Sequence, residues 1–452
     1  MRVVCSLATA LVLGGCATPR TAPTDTLRAR AALEDGQRAA REGRADQAIE
    51  SFRRALALQP HDWAAMRLLV EAQFGRGRID EAVGELSNAV AARPDDDVAH
   101  YGLGLALYSR SAVAEERALA ELARASALAP SVAEYHFRQG VIHLDAERWE
   151  KAASSLRLAR DLEPGVARHH VPLALALGRL GDRAGAIEEI RAILALSPDP
   201  HDLKVARQVM AHLVDPFREF PKAIEGDFTR ALDLMDKADS PQQAIVLLEE
   251  VVDRFPDLAA VHAALGLCYE RLGDAAQAME QFRQALDLAP EDPRNHLYVA
   301  DVYFSKERFD RARESYQAAV KRDPLSDHAY ERLGQLALQR GDAADAVGWL
   351  RSLVVLRPGE LSSRLALGTA LLTLGALDEA ERELSAVVDK DAKNADALLK
   401  LGSVSLERKK QEPDPARAEK HAARAAACFE KVLDLQPQNA FAARLLQATR
   451  QP

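Results

Sequence analysis

Apolar residues recur along this chain at spacings of three and four, and the whole pattern returns every 34 residues. The clearest copy is Ala259 to Asp292, AAVHAALGLCYERLGDAAQAMEQFRQALDLAPED. It is followed in register by PRNHLYVADVYFSKERFDRARESYQAAVKRDPLS and DHAYERLGQLALQRGDAADAVGWLRSLVVLRPGE. Each copy predicts two amphipathic helices. In the first, His262, Leu265, Gly266 and Tyr269 share a face, and in the second Ala278, Phe282 and Ala285 do so. Gly273-Asp274 breaks the chain between them, because glycine accepts the backbone angles of a tight turn and aspartate caps the helix that follows. Pro290 ends the second helix. Gly266 is expected opposite Ala278, where the missing side chain lets the two helices approach, with Phe282 and Tyr269 filling the remaining space.

A repeat of this length cannot bury its apolar faces alone, so the copies must stack. Leu265, Gly266, Tyr269, Ala278, Phe282 and Pro290 meet the pattern W-x2-L-G-x2-Y, A-x3-F, P, and the chain resembles the tetratricopeptide repeat (TPR) family. His262 stands where that family usually has tryptophan. Pro60, Pro94, Pro130, Pro164, Pro198, Pro256, Pro290, Pro324, Pro358 and Pro437 mark ten unit ends, and Ala392 takes the proline place in an eleventh. The resemblance implies an all-α fold, a tetratricopeptide-repeat superhelix (α-solenoid) of about eleven helix-turn-helix units.

Residues 1–16 lie outside that pattern. Arg2 precedes an apolar run, Val3 to Leu13, too short to span a bilayer and shaped like a secretory signal peptide. It ends in Leu13-Gly14-Gly15-Cys16, which resembles the lipobox of bacterial lipoproteins, and that resemblance makes Cys16 the lipidated mature N-terminus. An ordinary signal peptide with an incidental cysteine is the alternative. Ala17, in place of an aspartate, is expected to direct such a lipoprotein to the outer membrane, facing the periplasm. Residues 17–28 read as a flexible tether extending at ~3 Å per residue. A block of five units is expected over 29–199, and a block of six over 225–439. Between them, 200–224 reads as one helix, His201 to Val214, and a loop that Pro216 and Pro221 keep from continuing it. This segment is either a degenerate repeat or a functional insert. In the last unit Lys409 to Lys420 is extra, with Asp414-Pro415 opening a long helix. Residues 440–452 are then expected to close the stack as a capping helix.

The net charge is −9, and no basic stripe exists to displace counterions, which argues against nucleic acid as a partner. No H-E-x-x-H, phosphate-cradling glycine loop or G-x-S-x-G elbow occurs, so the reading is of a non-enzyme with no cofactor, metal or catalytic residue. His100, His136, His170, His262 and His296 occupy one place in their units and are expected to pack against the preceding unit. Cys268 and Cys428 lie four units apart, too far to bond, and read as small buried residues.

The resemblance places partners in the groove lined by the first helices. Turning away from the packing face gives Val98, Tyr101, Leu105 and Tyr108 in the third unit, Glu134, Phe137, Val141 and Leu144 in the fourth, and Arg168, Val171, Leu175 and Gly178 in the fifth. These predict an apolar strip across three units. The matching places in the sixth and ninth units, Asp233, Asp236, Glu331 and Gln335 among them, are polar. An exposed strip of that size needs a cover. A partner's helix is one candidate, and Phe217 with Phe220 from the insert is another. The expected function is a protein-protein interaction scaffold or adaptor, lipid-anchored in the bacterial envelope. Its partners would be other envelope proteins of a machine for pilus assembly, secretion, polysaccharide export or gliding motility. The alternative is a carrier binding a lipid or small apolar ligand in the groove.

Overall fold

A computed structural model of the chain describes residues 23–111, 114–196, 198–214, 221–237 and 239–450, and among these every regular element is an α-helix. The signal segment with Cys16, and Phe217 and Phe220, lie outside the described residues.

Five helix pairs come first: α1 (Pro23–Arg41) with α2 (Ala45–Leu58), α3 (Trp63–Gly75) with α4 (Ile79–Ala92), α5 (Asp97–Arg110) with α6 (Glu115–Leu128), α7 (Ala133–Asp145) with α8 (Trp149–Leu162), and α9 (Ala167–Arg179) with α10 (Arg183–Ala195). A single helix, α11 (Pro200–Leu213), follows. Six pairs come next: α12 (Glu225–Asp236) with α13 (Pro241–Arg254), α14 (Ala259–Arg271) with α15 (Ala275–Leu288), α16 (Pro293–Ser305) with α17 (Phe309–Arg322), α18 (Asp327–Gln339) with α19 (Ala343–Leu356), α20 (Leu361–Leu374) with α21 (Leu377–Lys390), and α22 (Ala395–Gln411) with α23 (Pro415–Leu435). The last helix is α24 (Ala440–Thr449). The chain divides into two compact units at Val209/Met210, inside α11. No described helix is long and apolar enough to cross a membrane.

The tether expected over 17–28 does not hold from Pro23 onward, where α1 already begins, and the rest of that range lies outside the described residues. Proline's fixed φ suits a first helical turn, and Asp25 meets the positive end of the helix there.

Within a pair, the turn repeats with the period. Gly43, Gly77, Gly181, Gly273, Gly341 and Gly375 all hold a left-handed φ near +70 to +80°, and Asp274 then accepts from the amides of Ala276 and Gln277. Glu147 and Glu307 take the same place at φ 55° and 56°, a conformation that costs a side-chain-bearing residue about 1–2 kcal/mol.

The close approach within a pair differs in detail from the expected Gly266–Ala278 contact. The space above Gly266 is occupied by the ring of Phe282, sixteen residues on, which is fully buried. The same arrangement sets Gly36 against Phe52, Gly140 against Leu156, Gly334 against Leu350 and Gly368 against Leu384. A large side chain from the second helix thus lies across the bare backbone of the first, and Ala278 is simply buried beside it. In α22 and α23 the partners are Gly402 and Phe429, held in the same contact although these helices are 17 and 21 residues long against 13 or 14 in most other units.

Candidate functional site

A first helix inside the stack packs on its own second helix and on the second helix of the unit before, and in several units on a neighbouring first helix too, as α5 does with α6, α4 and α3. Three-sided contact leaves little of it open. Of the expected strip, Val98 and Tyr101 are completely buried, and Leu105, Phe137 and Val171 are buried as well. Tyr108, Val141, Leu144 and Leu175 remain half-buried. The strip is therefore not a continuous exposed apolar surface, and the open apolar floor that a lipid carrier needs is not formed by these nine residues. What stays open is a short lip of four side chains, with Tyr108 donating its hydroxyl to Asp145.

Behind that lip the third to fifth units are joined by a buried polar cluster around Glu134, whose side chain is 0% exposed. One carboxylate oxygen accepts from Arg138 Nε at 2.7 Å and from the Tyr101 hydroxyl at 2.8 Å. The other accepts from Arg168, 34 residues on, at 2.7 Å. Burial pushes the Glu134 pKa up, but the charges of Arg138 and Arg168 outweigh it and hold the carboxyl near 2. Burial opposes the charge of Arg138 too, and Glu134 more than restores it. Burial and the Glu134 charge together push the Tyr101 phenol well above its ordinary range. Tyr135, its ring tilted 34° against that of Tyr101 with centroids 5.0 Å apart, donates to Asp97 at 2.7 Å. Phe137 lies between the guanidiniums of Arg138 and Arg168, 5.6 and 5.1 Å from its ring. One carboxylate thus fixes three successive units, and sequence reading missed it because Glu134 was placed on an open groove wall.

The recurring histidines act through hydrogen bonds more than through packing. His100, His136, His170, His262 and His296 each bring Nε2 to within 2.8–3.0 Å of the carbonyl of the proline six residues earlier. In three of them Nδ1 faces a second-helix side chain: Glu121 for His100, Glu189 for His170 and Gln281 for His262. The histidine closes the loop that enters its unit onto that unit's second helix. Burial works against a charged His170, yet the Glu189 carboxylate and the Pro164 carbonyl raise its pKa. The spacings of six back to proline and nineteen forward to an acceptor, twenty-one in the third unit with its two extra residues, were present in the sequence.

In the second compact unit the groove positions are likewise tied, between repeats by Arg271 with Asp236 at 3.0 Å and His328 with Asp301 at 2.8 Å, and within the ninth repeat by Arg357 with Glu331 at 3.0 Å. A small pocket of about 290 Å³, lined by Pro358, Leu361, Arg364 and Lys390, lies in the tenth repeat. Two groups could offer three metal-ligating atoms within 4.8 Å, His61 with Asp96 and Asp97, and Asp199 with His201 and Asp202. Most of these carboxylates already serve the fold: Asp96 caps Ala99, Asp97 holds Tyr135, and Asp199 caps Asp202. Cys268 is buried and its thiol is pushed up to about 11 by burial, which makes it a packing residue with little thiolate.

A tetratricopeptide repeat profile matches residues 116–167, 228–293, 300–360 and 365–420, just over half of the chain, and a second tetratricopeptide repeat profile matches 39–105. Human mitochondrial import receptor subunit TOM70 is similar at 26% identity over 121 residues, 26% of this chain and 20% of that protein. The Hsp70-Hsp90 organizing protein of Triticum aestivum is 25% identical over 142 residues, 31% of this chain and 24% of that protein. BBSome complex member BBS4 of Bos taurus is 30% identical over 116 residues, 26% of this chain and 22% of that protein. The alignments thus span only about a fifth to a quarter of the length of these relatives. Among solved structures, YrrB, described as a TPR protein with an unusual peptide-binding site, is 20% identical, with a TM-score of 0.40 over 44% of this chain and 97% of that one. Yeast Tom70 is 15% identical, with a TM-score of 0.29 over 93% of this chain and 94% of that one. Eleven helix pairs among the described residues, seven of them built on one Gly–aromatic or Gly–Leu contact, with the profile matched through most of them, make this chain a member of the tetratricopeptide repeat family.

Proposed function

We propose that the chain is a non-enzymatic scaffold or adaptor, lipid-anchored through Cys16 in the bacterial envelope, probing other envelope proteins with the lip formed by Tyr108, Val141, Leu144 and Leu175. The observation that carries this reading is the half-buried apolar lip beside a polar cluster whose central carboxylate is fully engaged. A rigid backing with a few open apolar side chains suits an anchor residue of a partner helix, with little ordering cost to the groove itself. Similar proteins named as a receptor subunit, an organizing protein and a complex member fit a role in holding proteins together. Supporting the assembly of a machine for pilus formation, secretion, polysaccharide export or gliding is the role proposed.

Replacing Leu144 and Leu175 with aspartate tests the lip. Both are half-buried, so the double variant should keep its melting temperature within a few degrees while losing the envelope proteins that cross-link to the native chain. Undiminished cross-linking would remove the lip from the proposal. A separate measurement tests the anchor: Cys16→Ala should yield an unprocessed chain without lipid mass, absent from outer-membrane fractions. Unchanged mass and fractionation would end the lipoprotein reading and leave the lip untouched.

A further inference from the structure

His169 is completely buried, and neither ring nitrogen has a hydrogen-bond partner of good geometry. Its ring packs on Phe137 of α7 at 5.2 Å between centroids. It differs from the other buried histidines of the stack, which use their nitrogens to close a loop. The place 34 residues earlier holds Tyr135 and 34 residues later Leu203, both buried, so an aromatic ring and an aliphatic side chain each fit this position. An imidazole supplies an apolar surface only while it is neutral.

We propose that His169 is an acid-sensitive joint between the fourth and fifth units: its neutral ring seals α9 against α7, and protonation opens that contact. The surrounding charges offer the imidazolium little relief. Arg168, next to it on α9, is a like charge, and Glu134 on α7 is already held by Arg138 and Arg168. Glu189 on α10 is bound to His170 and to Arg160 of α8. Glu163, in the loop before α9, has its carboxylate 3.9 Å from Nε2. The Glu163 backbone also faces the ring and favours its charged form, but burial outweighs it. Burial, with the Arg168 charge, accordingly holds the imidazole pKa near 4.

The sign follows from that depression. The neutral form is favoured by folding, so the contribution of His169 is complete above the ordinary value of about 6.5 and is lost as pH falls toward 4. Two neighbours act in the opposite sense. Asp202, raised to about 6 by burial and by Asp199, favours the fold more as it is protonated, and so does His170, whose pKa is raised. A whole-protein stability curve would therefore blur the effect, and the comparison must be between the native chain and variants at this one position.

The experiment is amide hydrogen exchange of α7 and α9, referred to intrinsic rates, at pH 7 and pH 4.5 for the native chain, His169→Phe and His169→Leu. Phe matches the aromatic at 135 and Leu the residue at 203, so at least one variant should fold. Between the two pH values the native chain should lose at least about tenfold more protection than the variants. Equal losses would overturn the proposal. Titration of the native protein by NMR gives an independent reading: an imidazole still neutral at pH 5 is expected for His169, and one titrating near 6.5 would overturn it even if no variant folds.

Discussion

Glu134→Gln is expected to cost the first compact unit about 3–5 kcal/mol, the penalty for removing one member of a buried ion pair and leaving the other charged. The substitution keeps the shape of the side chain and an acceptor for Tyr101. It removes the negative charge bonded to Arg138, and Arg168 loses its bond to the same carboxylate. Urea unfolding of the first unit at pH 7 should show the loss. Because the folded pKa of Glu134 is depressed to about 2, its contribution is present above the ordinary carboxylate range near 4.5 and disappears as pH falls through 2. The gap between native chain and variant should therefore narrow steadily below pH 4.5. A loss under 1 kcal/mol at pH 7, or a gap independent of pH, would mean that the cluster does not join the three units. Replacing Glu134, Arg138 and Arg168 together by apolar residues should restore much of the stability, since hydrophobic substitutes for a whole buried ionic group are often neutral or better.

Gly266→Ala is expected to destabilise the second compact unit by about 1–3 kcal/mol, although alanine is the better helix former by about 0.5–1 kcal/mol. The new Cβ would fall inside the van der Waals surface of Phe282. That ring cannot retreat, being fully buried and stacked on Tyr298 with centroids 5.0 Å apart. The two effects have opposite signs, so thermal unfolding decides between them directly: a raised melting temperature would show that the ring has room to move. Combining the change with Phe282→Leu should recover part of the loss, because a smaller side chain already serves at 122, 156, 350 and 384.

The helix pairs, their turns, the Asp414 cap and the lone helix after the fifth unit were legible because each depends on residues close in sequence. Glycine at a left-handed turn and aspartate accepting from the next amides are local devices, and the 34-residue period multiplies the signal. The groove was not legible for a physical reason. A periodicity argument assigns each helix one covered face and treats the opposite face as open. In a stack the first helix is also covered by its neighbours, so Val98, Tyr101 and Phe137, on the presumed open face, are core. The Glu134 cluster was hidden for the same reason, since its bonds link residues 33 and 34 positions apart. Pairing charges at the repeat distance would have exposed it. The histidine bonds to Pro94, Pro164 and Pro256 were readable from fixed spacings, but only once a hydrogen-bonding role was sought in place of a packing one.

The long α22–α23 pair shows where this architecture tolerates changes in length. Its extra residues lie between Gly402 and Phe429, beyond the contact that those two residues still make, so the added turns lengthen the hairpin without shifting its base. Gain or loss of codons at a hairpin tip should thus be nearly neutral to inheritance, whereas the same change between one unit's second helix and the next unit's first would displace the bonds that span that junction, such as Arg168 to Glu134. Variation in length among lineages should collect at the tips, and grafted tags or reporter domains should be accepted at Glu412–Asp414 far more readily than at the loops that carry the prolines.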